Sequence, residues 1–99
     1  MGEREPERVE VVEDDLRLVN VQGLHARPAQ LVVKTASAFT ARVTLSREGV
    51  EVDAKSIMGV MMLAAEKGTV LRVRAEGADA AQAIASLKEL FASGFGEEI

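Results

Sequence analysis

The stretch Gly23-Leu24-His25-Ala26-Arg27-Pro28-Ala29 decides how this chain of 99 residues is read. Pro28 fixes φ near the helical value and lacks an N–H, which suits a first helical turn. A helix starting at Ala26 makes His25 its N-cap. The N–H groups of Ala26 and Arg27 then have no intrahelical acceptor, and with the positive end of the helix dipole they form a ready site for an anion. The dipole alone contributes about 0.3–1 kcal/mol at an exposed site. Arg27 adds a permanent charge and a planar donor fork suited to phosphate. His25 is the only histidine, and there is no cysteine, tyrosine or tryptophan. Its imidazole is therefore the only side chain of a type that titrates near neutrality. A nucleophilic nitrogen beside an anion pocket suits phosphoryl transfer with the histidine covalently phosphorylated. A surface histidine at a helix start gives the same pattern, and these seven residues alone do not separate the two.

Outward from this stretch the pattern fills in on both sides. Residues 11–21 alternate as a first strand, with Leu16 and Leu18 inward and Arg17 and Val19 outward. Gln22-Gly23 is a loop. From Ala26 to about Ala38, Ala29, Val32, Val33 and Ala36 make a buried helical stripe, with Arg27, Gln30, Lys34 and Ser37 opposite. Residues 41–47 and 50–54 form a hairpin around a Gly-containing loop, with Val43, Leu45, Val50 and Val52 inward. Ser56 reads as the N-cap of a short helix from Ile57 to about Leu63, closed by Gly68. Ile57, Met58, Met61 and Met62 cannot all be buried by one short helix. They predict an exposed patch, and flexible methionines suit a surface that meets several partners. Thr69 to Ala75 is the last strand, with Leu71, Val73 and Ala75 inward. Asp79 is the next N-cap. The final helix runs from Ala80 to about Ser93 on a stripe of Ala80, Ala83, Ile84, Leu87, Leu90 and Phe91. Gly94 ends it, and Phe95 packs back beneath. The order β-α-β-β-α-β-α predicts a two-layer α+β sandwich with helices on one sheet face. The pattern alone does not separate this from a ferredoxin-like arrangement.

Composition narrows the function classes. One domain fits this length, preceded by a mobile charged arm over residues 1–10. The 47% hydrophobic content suffices for a core. No apolar run reaches the roughly 20 residues of a membrane span, and the N-terminus lacks the apolar stretch of a signal peptide. The absence of cysteine excludes disulfides and fits a cytoplasmic protein. The first 15 residues carry seven acids and two bases, whereas the rest carry nine acids and ten bases. The domain itself is thus near neutral, which argues against nucleic-acid binding, as do three phenylalanines as the only aromatics.

Two blocks carry a resemblance. Gly23-Leu24-His25-Ala26-Arg27-Pro28-Ala29 resembles the active-site segment of the HPr family, the histidine-containing phosphocarriers of the bacterial phosphotransferase system. Lys55-Ser56-Ile57-Met58-Gly59-Val60-Met61 resembles that family's regulatory-serine segment, and Ser56 follows His25 by 31 positions, the family spacing. The resemblance spans about Leu16 to Phe95. It implies an HPr-like open-faced sandwich with four antiparallel strands in the order 1-4-2-3. It also implies that His25 accepts a phosphoryl group at Nδ1 from enzyme I and passes it to a histidine on an IIA protein or domain. Arg27 and the backbone N–H of Ala26 would offset the phosphate charge. Leu24, Gln30, Lys34, Ile57, Met58 and Met61 would dock donor and acceptors, and an HPr kinase/phosphorylase would phosphorylate Ser56. The implied carrier is a monomer that needs no metal or cofactor and has no turnover of its own. Two positions depart from the family pattern: Gln22 stands where many relatives hold the imidazole with asparagine, and Ser37 where many carry a basic residue.

Three other readings stay open. The ending Leu90-Phe91-Ala92-Ser93-Gly94-Phe95 resembles the nitrogen-type paralogue, whose phosphorelay is regulatory. A protein-binding regulator using the Ile57/Met58/Met61 patch, without phosphorylation, is a second alternative, against which the presence of both His25 and Arg27 weighs. A third is an ordinary α+β ligand-binding domain, for which the sequence offers no polar cluster to line a pocket.

Overall fold

Alternating apolar and charged residues build the strands, and their pairing closes one sheet. In the computed structural model, which describes residues 9–99, β1 (Glu10–Arg17), β2 (Arg42–Arg47), β3 (Val50–Asp53) and β4 (Val70–Gly77) lie in the order β1-β4-β2-β3, each neighbouring pair antiparallel. Helices α1 (Ala26–Ser37), α2 (Ile57–Met62) and α3 (Ala80–Ala92) complete the α+β open-faced sandwich. The strand order is the one the resemblance implied. Of the charged arm expected over residues 1–10, residues 1–8 lie outside the described residues, and β1 begins at Glu10.

The inner sheet face supplies Leu16, Val43, Leu45, Leu71, Val73 and Ala75, all buried. The expected helix stripes meet it: Ala29, Val32 and Ala36 from α1, and Ala80, Ala83, Ile84, Leu87 and Phe91 from α3. Full burial of one such large aliphatic or aromatic side chain contributes about 1.5–3 kcal/mol. Val33 and Leu90 are only partly buried at the rim of this core. On the edge strand β1, Asp14 shares the inner face, opposite Val73, and Lys88 of α3 donates to it at 2.8 Å. That bond holds the Asp14 carboxyl below the usual carboxylate range. An inward charge on an edge strand also discourages edge-to-edge pairing.

Several expected boundaries shift. The first strand ends at Arg17 rather than at residue 21. Leu18 still pairs with Gly68 and Thr69, but there the partner strand runs out and the chain turns through Asn20 to Gly23. Val50 shares the inward face with Val52 but is half exposed, because it lies at the hairpin tip, paired with Arg47, where that face is left uncovered. The short helix is not closed by Gly68. It ends at Met62, and the chain turns at Ala64 with φ 47°. Arg47 accommodates that end by donating to the carbonyls of Leu63 and Ala64 at 3.0 and 3.1 Å. Asp79 occupies the N-cap position of α3, yet its side chain does not cap the helix. Its two oxygens instead accept the N–H groups of Thr40 and Ala41 at 2.9 and 2.8 Å, fixing the entry to β2.

Beyond α3 the chain makes a single turn at Gly94–Gly96. Phe95 is buried there, its ring edge-on to Phe91 with centroids 4.9 Å apart. This anchor returns the C-terminal residues towards the start of α1.

Candidate functional site

The site forms where the loop before α1, the first turn of α1 and the tail after α3 meet. The loop depends on Gly23, whose φ is 64° and whose added Cβ would sit 2.5 Å from the carbonyl oxygen of Ala65. Only glycine is accommodated at that approach. The N–H of Leu24 donates to the same Ala65 carbonyl at 2.9 Å, and that of Gly23 to the Asn20 carbonyl at 3.1 Å.

His25 is the N-cap of α1, as expected, with extended backbone and no side-chain capping bond. Its ring faces the tail, where Nε2 lies 2.8 and 2.9 Å from Oε1 and Oε2 of Glu97. An ionised carboxylate only accepts, so Nε2 carries a proton, and in the neutral form of the ring Nδ1 is the nitrogen with the free lone pair. Among the described residues no hydrogen bond engages Nδ1. Arg27 donates from Nη1 to the Phe95 carbonyl at 2.9 Å and to Glu97 Oε2 at 3.1 Å. Buried Asn20 donates from Nδ2 to the Gly23 carbonyl at 2.7 Å and to Glu97 Oε1 at 3.1 Å. The bond from His25, with those from Asn20 and Arg27, holds the Glu97 carboxyl below its ordinary range against the opposing effect of burial.

The His25 and Arg27 side chains are 35% and 58% exposed, and that of Glu97 is 17% exposed. A partner can therefore reach the ring and the guanidinium, while the carboxylate sits beneath them. The first-turn N–H groups of Ala26 and Arg27 lie at the same end of α1, without intrahelical acceptors. The arrangement offers an accessible nucleophilic nitrogen, one arginine and a helix N-terminus. It can take up an anionic group without enclosing it.

Other expected site residues fall in different places. Ser56 is the N-cap of α2, and its hydroxyl accepts the Gly59 N–H at 3.2 Å. The helices α1 and α2 pack together. Gln30 and Lys34 are exposed on α1, and Ile57, Met58, Met61 and Met62 are exposed on α2, with Met58 at 76%. Leu24, expected to dock partners, is only 5% exposed and belongs to the core. Its backbone is pinned to Ala65, which turns the side chain's position inward.

The sequence reading missed Asn20, Glu97 and the Phe95 carbonyl. Asn20 had a signal. Continued from Leu16 and Leu18, the alternation puts it on the inward face, where a buried polar group needs partners. It ties the loop in place, whereas Gln22 is exposed. Glu97 had none, since it meets His25 across 72 residues of chain.

Comparison with known proteins finds relatives over most of the chain. Residues 12–93 match the family described as "PTS HPr component phosphorylation site". The chain is 50% identical over 88 residues to the phosphocarrier protein HPr of Xylella fastidiosa (strain Temecula1), covering 89% of this chain and 99% of that protein. It is 45% identical over 83 residues to the HPr of Treponema pallidum (strain Nichols), covering 84% and 94%. Among solved structures, HPr-C-His from Thermoanaerobacter tengcongensis superposes with a TM-score of 0.85 at 44% identity, covering 89% of this chain and 99% of that one.

Proposed function

The chain belongs to the HPr family, phosphocarriers of the phosphotransferase system rather than enzymes with turnover of their own, and from that premise we propose that His25 takes a phosphoryl group at Nδ1 from enzyme I and hands it to a histidine on an IIA protein or domain. One observation carries the assignment of the atom: Nε2 is bonded to the Glu97 carboxylate, which leaves the Nδ1 lone pair for phosphorus. Arg27 and the N–H groups of Ala26 and Arg27 offset the incoming charge. The exposure of the site suits a carrier, because an anion site that gripped the phosphate too well would trap it. Only interactions stronger in the transition state than in the bound state speed a transfer.

In this reading the protein acts as a cytoplasmic monomer, and among the described residues no helix is long and apolar enough to cross a membrane. Partners dock on the exposed patch of Ile57, Met58 and Met61 together with Gln30 and Lys34. Phosphorylation of Ser56 by an HPr kinase/phosphorylase adds negative charge beside that patch and regulates docking. The helix N-terminus tolerates the charge, so the effect falls on partners rather than on the fold.

The test uses purified enzyme I and phosphoenolpyruvate, followed by intact mass. The expected result is one added phosphate that is acid-labile and absent from His25→Ala, with unchanged circular dichroism in the variant. Wild-type chain that takes no phosphate from an active enzyme I removes the proposal. Transfer rates to a sugar-type and a nitrogen-type IIA, measured side by side, assign the pathway.

A further inference from the structure

We infer that Glu97 is a positioning residue for phosphoryl transfer, one that keeps the Nε2 proton on the His25 ring so that the ring departs from phosphorus as a neutral imidazole. The inference rests on the reading of His25 as the phosphoryl acceptor. Both carboxylate oxygens lie within 2.9 Å of Nε2, and each has one further donor, Asn20 for Oε1 and Arg27 for Oε2. The carboxylate is thus fixed from three sides. The backbone behind it is fixed as well. The N–H of Val21 donates to the Glu98 carbonyl at 2.8 Å, the N–H of Glu97 donates to the Gly94 carbonyl at 3.0 Å, and Phe95 is buried against Phe91.

The chemistry gives this geometry a use. When Nδ1 attacks, its lone pair forms the new N–P bond. The donor's bond to phosphorus breaks, and that electron pair stays on the donor. The Nε2 proton remains on the ring, which now carries a positive charge facing Glu97. In the onward step the acceptor nitrogen forms its own bond to phosphorus. The N–P bond breaks, and its electron pair returns to Nδ1, leaving a neutral imidazole. Loss of the Nε2 proton before that step would make the leaving group an imidazolate anion, which departs poorly. The Glu97 carboxylate stabilises the protonated ring throughout by a charge-assisted hydrogen bond. The charged groups in this network are Glu97, bonded to the ring, and Arg27, bonded to Glu97.

Substitution separates this role from simple tail anchoring. Glu97→Gln keeps an oxygen that accepts from Nε2–H and removes only the charge, whereas Glu97→Ala removes both. Phosphohistidine is formed on wild type and both variants with phosphoramidate, a small-molecule donor that needs no enzyme I. Hydrolysis at pH 8 is followed by phosphorus NMR, and the Nε2 state by nitrogen NMR of ring-labelled protein. The expected result is hydrolysis about tenfold slower in Glu97→Gln, on the scale of the difference between a hydrogen bond to a charged group and one to a neutral group. The Nε2 signal should move towards its deprotonated position. Equal half-lives and an unmoved signal in Glu97→Gln overturn the inference, and an effect confined to Glu97→Ala does so too, since it marks an anchor alone. Because phosphoramidate bypasses enzyme I, failure of the carrier reading shows separately, as wild type that is phosphorylated chemically and not by the active donor protein.

Discussion

Helices α1 and α2 begin alike and are used differently. Each has an N-cap residue with extended backbone, His25 for α1 and Ser56 for α2. Ser56 turns its hydroxyl inward to the Gly59 N–H, closing its helix end. His25 turns away and spends Nε2 on Glu97, so the first turn of α1 keeps its N–H groups open beside a nucleophile. The price in helix stability is small, because a cap bond contributes about 1 kcal/mol. The gain is an anion site with a reactive atom at its mouth. The difference shows that capping is a local choice of side chain, and that a helix start left uncapped next to a titratable ring is a place to look for chemistry.

Arg27 is where the comparison can be broken most severely, since α2 has no basic residue at the matching place: Met58 occupies it. Arg27→Ala should leave His25 in position, because Glu97 still holds Nε2. It should nevertheless slow phosphorylation by enzyme I about a hundredfold, the scale on which loss of a charge-stabilising donor is felt. Arg27→Lys should recover only part of that rate, because the planar fork is lost. Stopped-flow transfer kinetics give the answer. Wild-type rates in Arg27→Ala would mean that the helix N-terminus suffices by itself.

Ser56 tests the closed end. Ser56→Ala should cost about 1 kcal/mol, which lowers the melting temperature of a domain this size by about 4–8 °C. Ser56→Asp should restore most of that loss, because a carboxylate caps as well as a hydroxyl and suits the positive end of the dipole. Thermal unfolding of the three proteins decides it. A Ser56→Ala protein as stable as wild type would mean that the 3.2 Å bond to Gly59 carries no weight.

Most of the frame was legible because it is written locally. Leu16, Leu71, Val73 and Leu45 declare their faces by alternation, and the α1 and α3 stripes by helical spacing. His25, Arg27 and Ser56 stood out for the same reason, each being placed by residues within a turn of it. What stayed hidden depends on residues far apart in the chain. Glu97 reaches His25 only because Phe95 finds Phe91 and the tail folds back. Leu24 looked like a surface neighbour of the histidine until its backbone was tied to Ala65. Val50 matched the inward pattern of its hairpin, but alternation says which face a residue takes and not whether a helix covers that part of the face.

Asp79 extends the comparison to a third helix start and carries the smallest expected effect. It sits at the N-cap of α3 but gives both oxygens to Thr40 and Ala41. Those backbone bonds, Thr40's the larger, hold its carboxyl below the ordinary 3.8. A carboxyl depressed on folding adds stability that is fully present above its unfolded value and is lost as pH falls through the folded one. Asp79→Asn keeps one acceptor oxygen of the two, so its melting temperature should drop less than that of Ser56→Ala at neutral pH. The gap to wild type should stay level down to about pH 5, then narrow below 3.8 and close once the aspartate is protonated in the native state. Asp14 and Glu97 titrate in both proteins and cancel in the difference. A gap that persists unchanged into strong acid would mean that the Asp79 contact works by shape and not by charge.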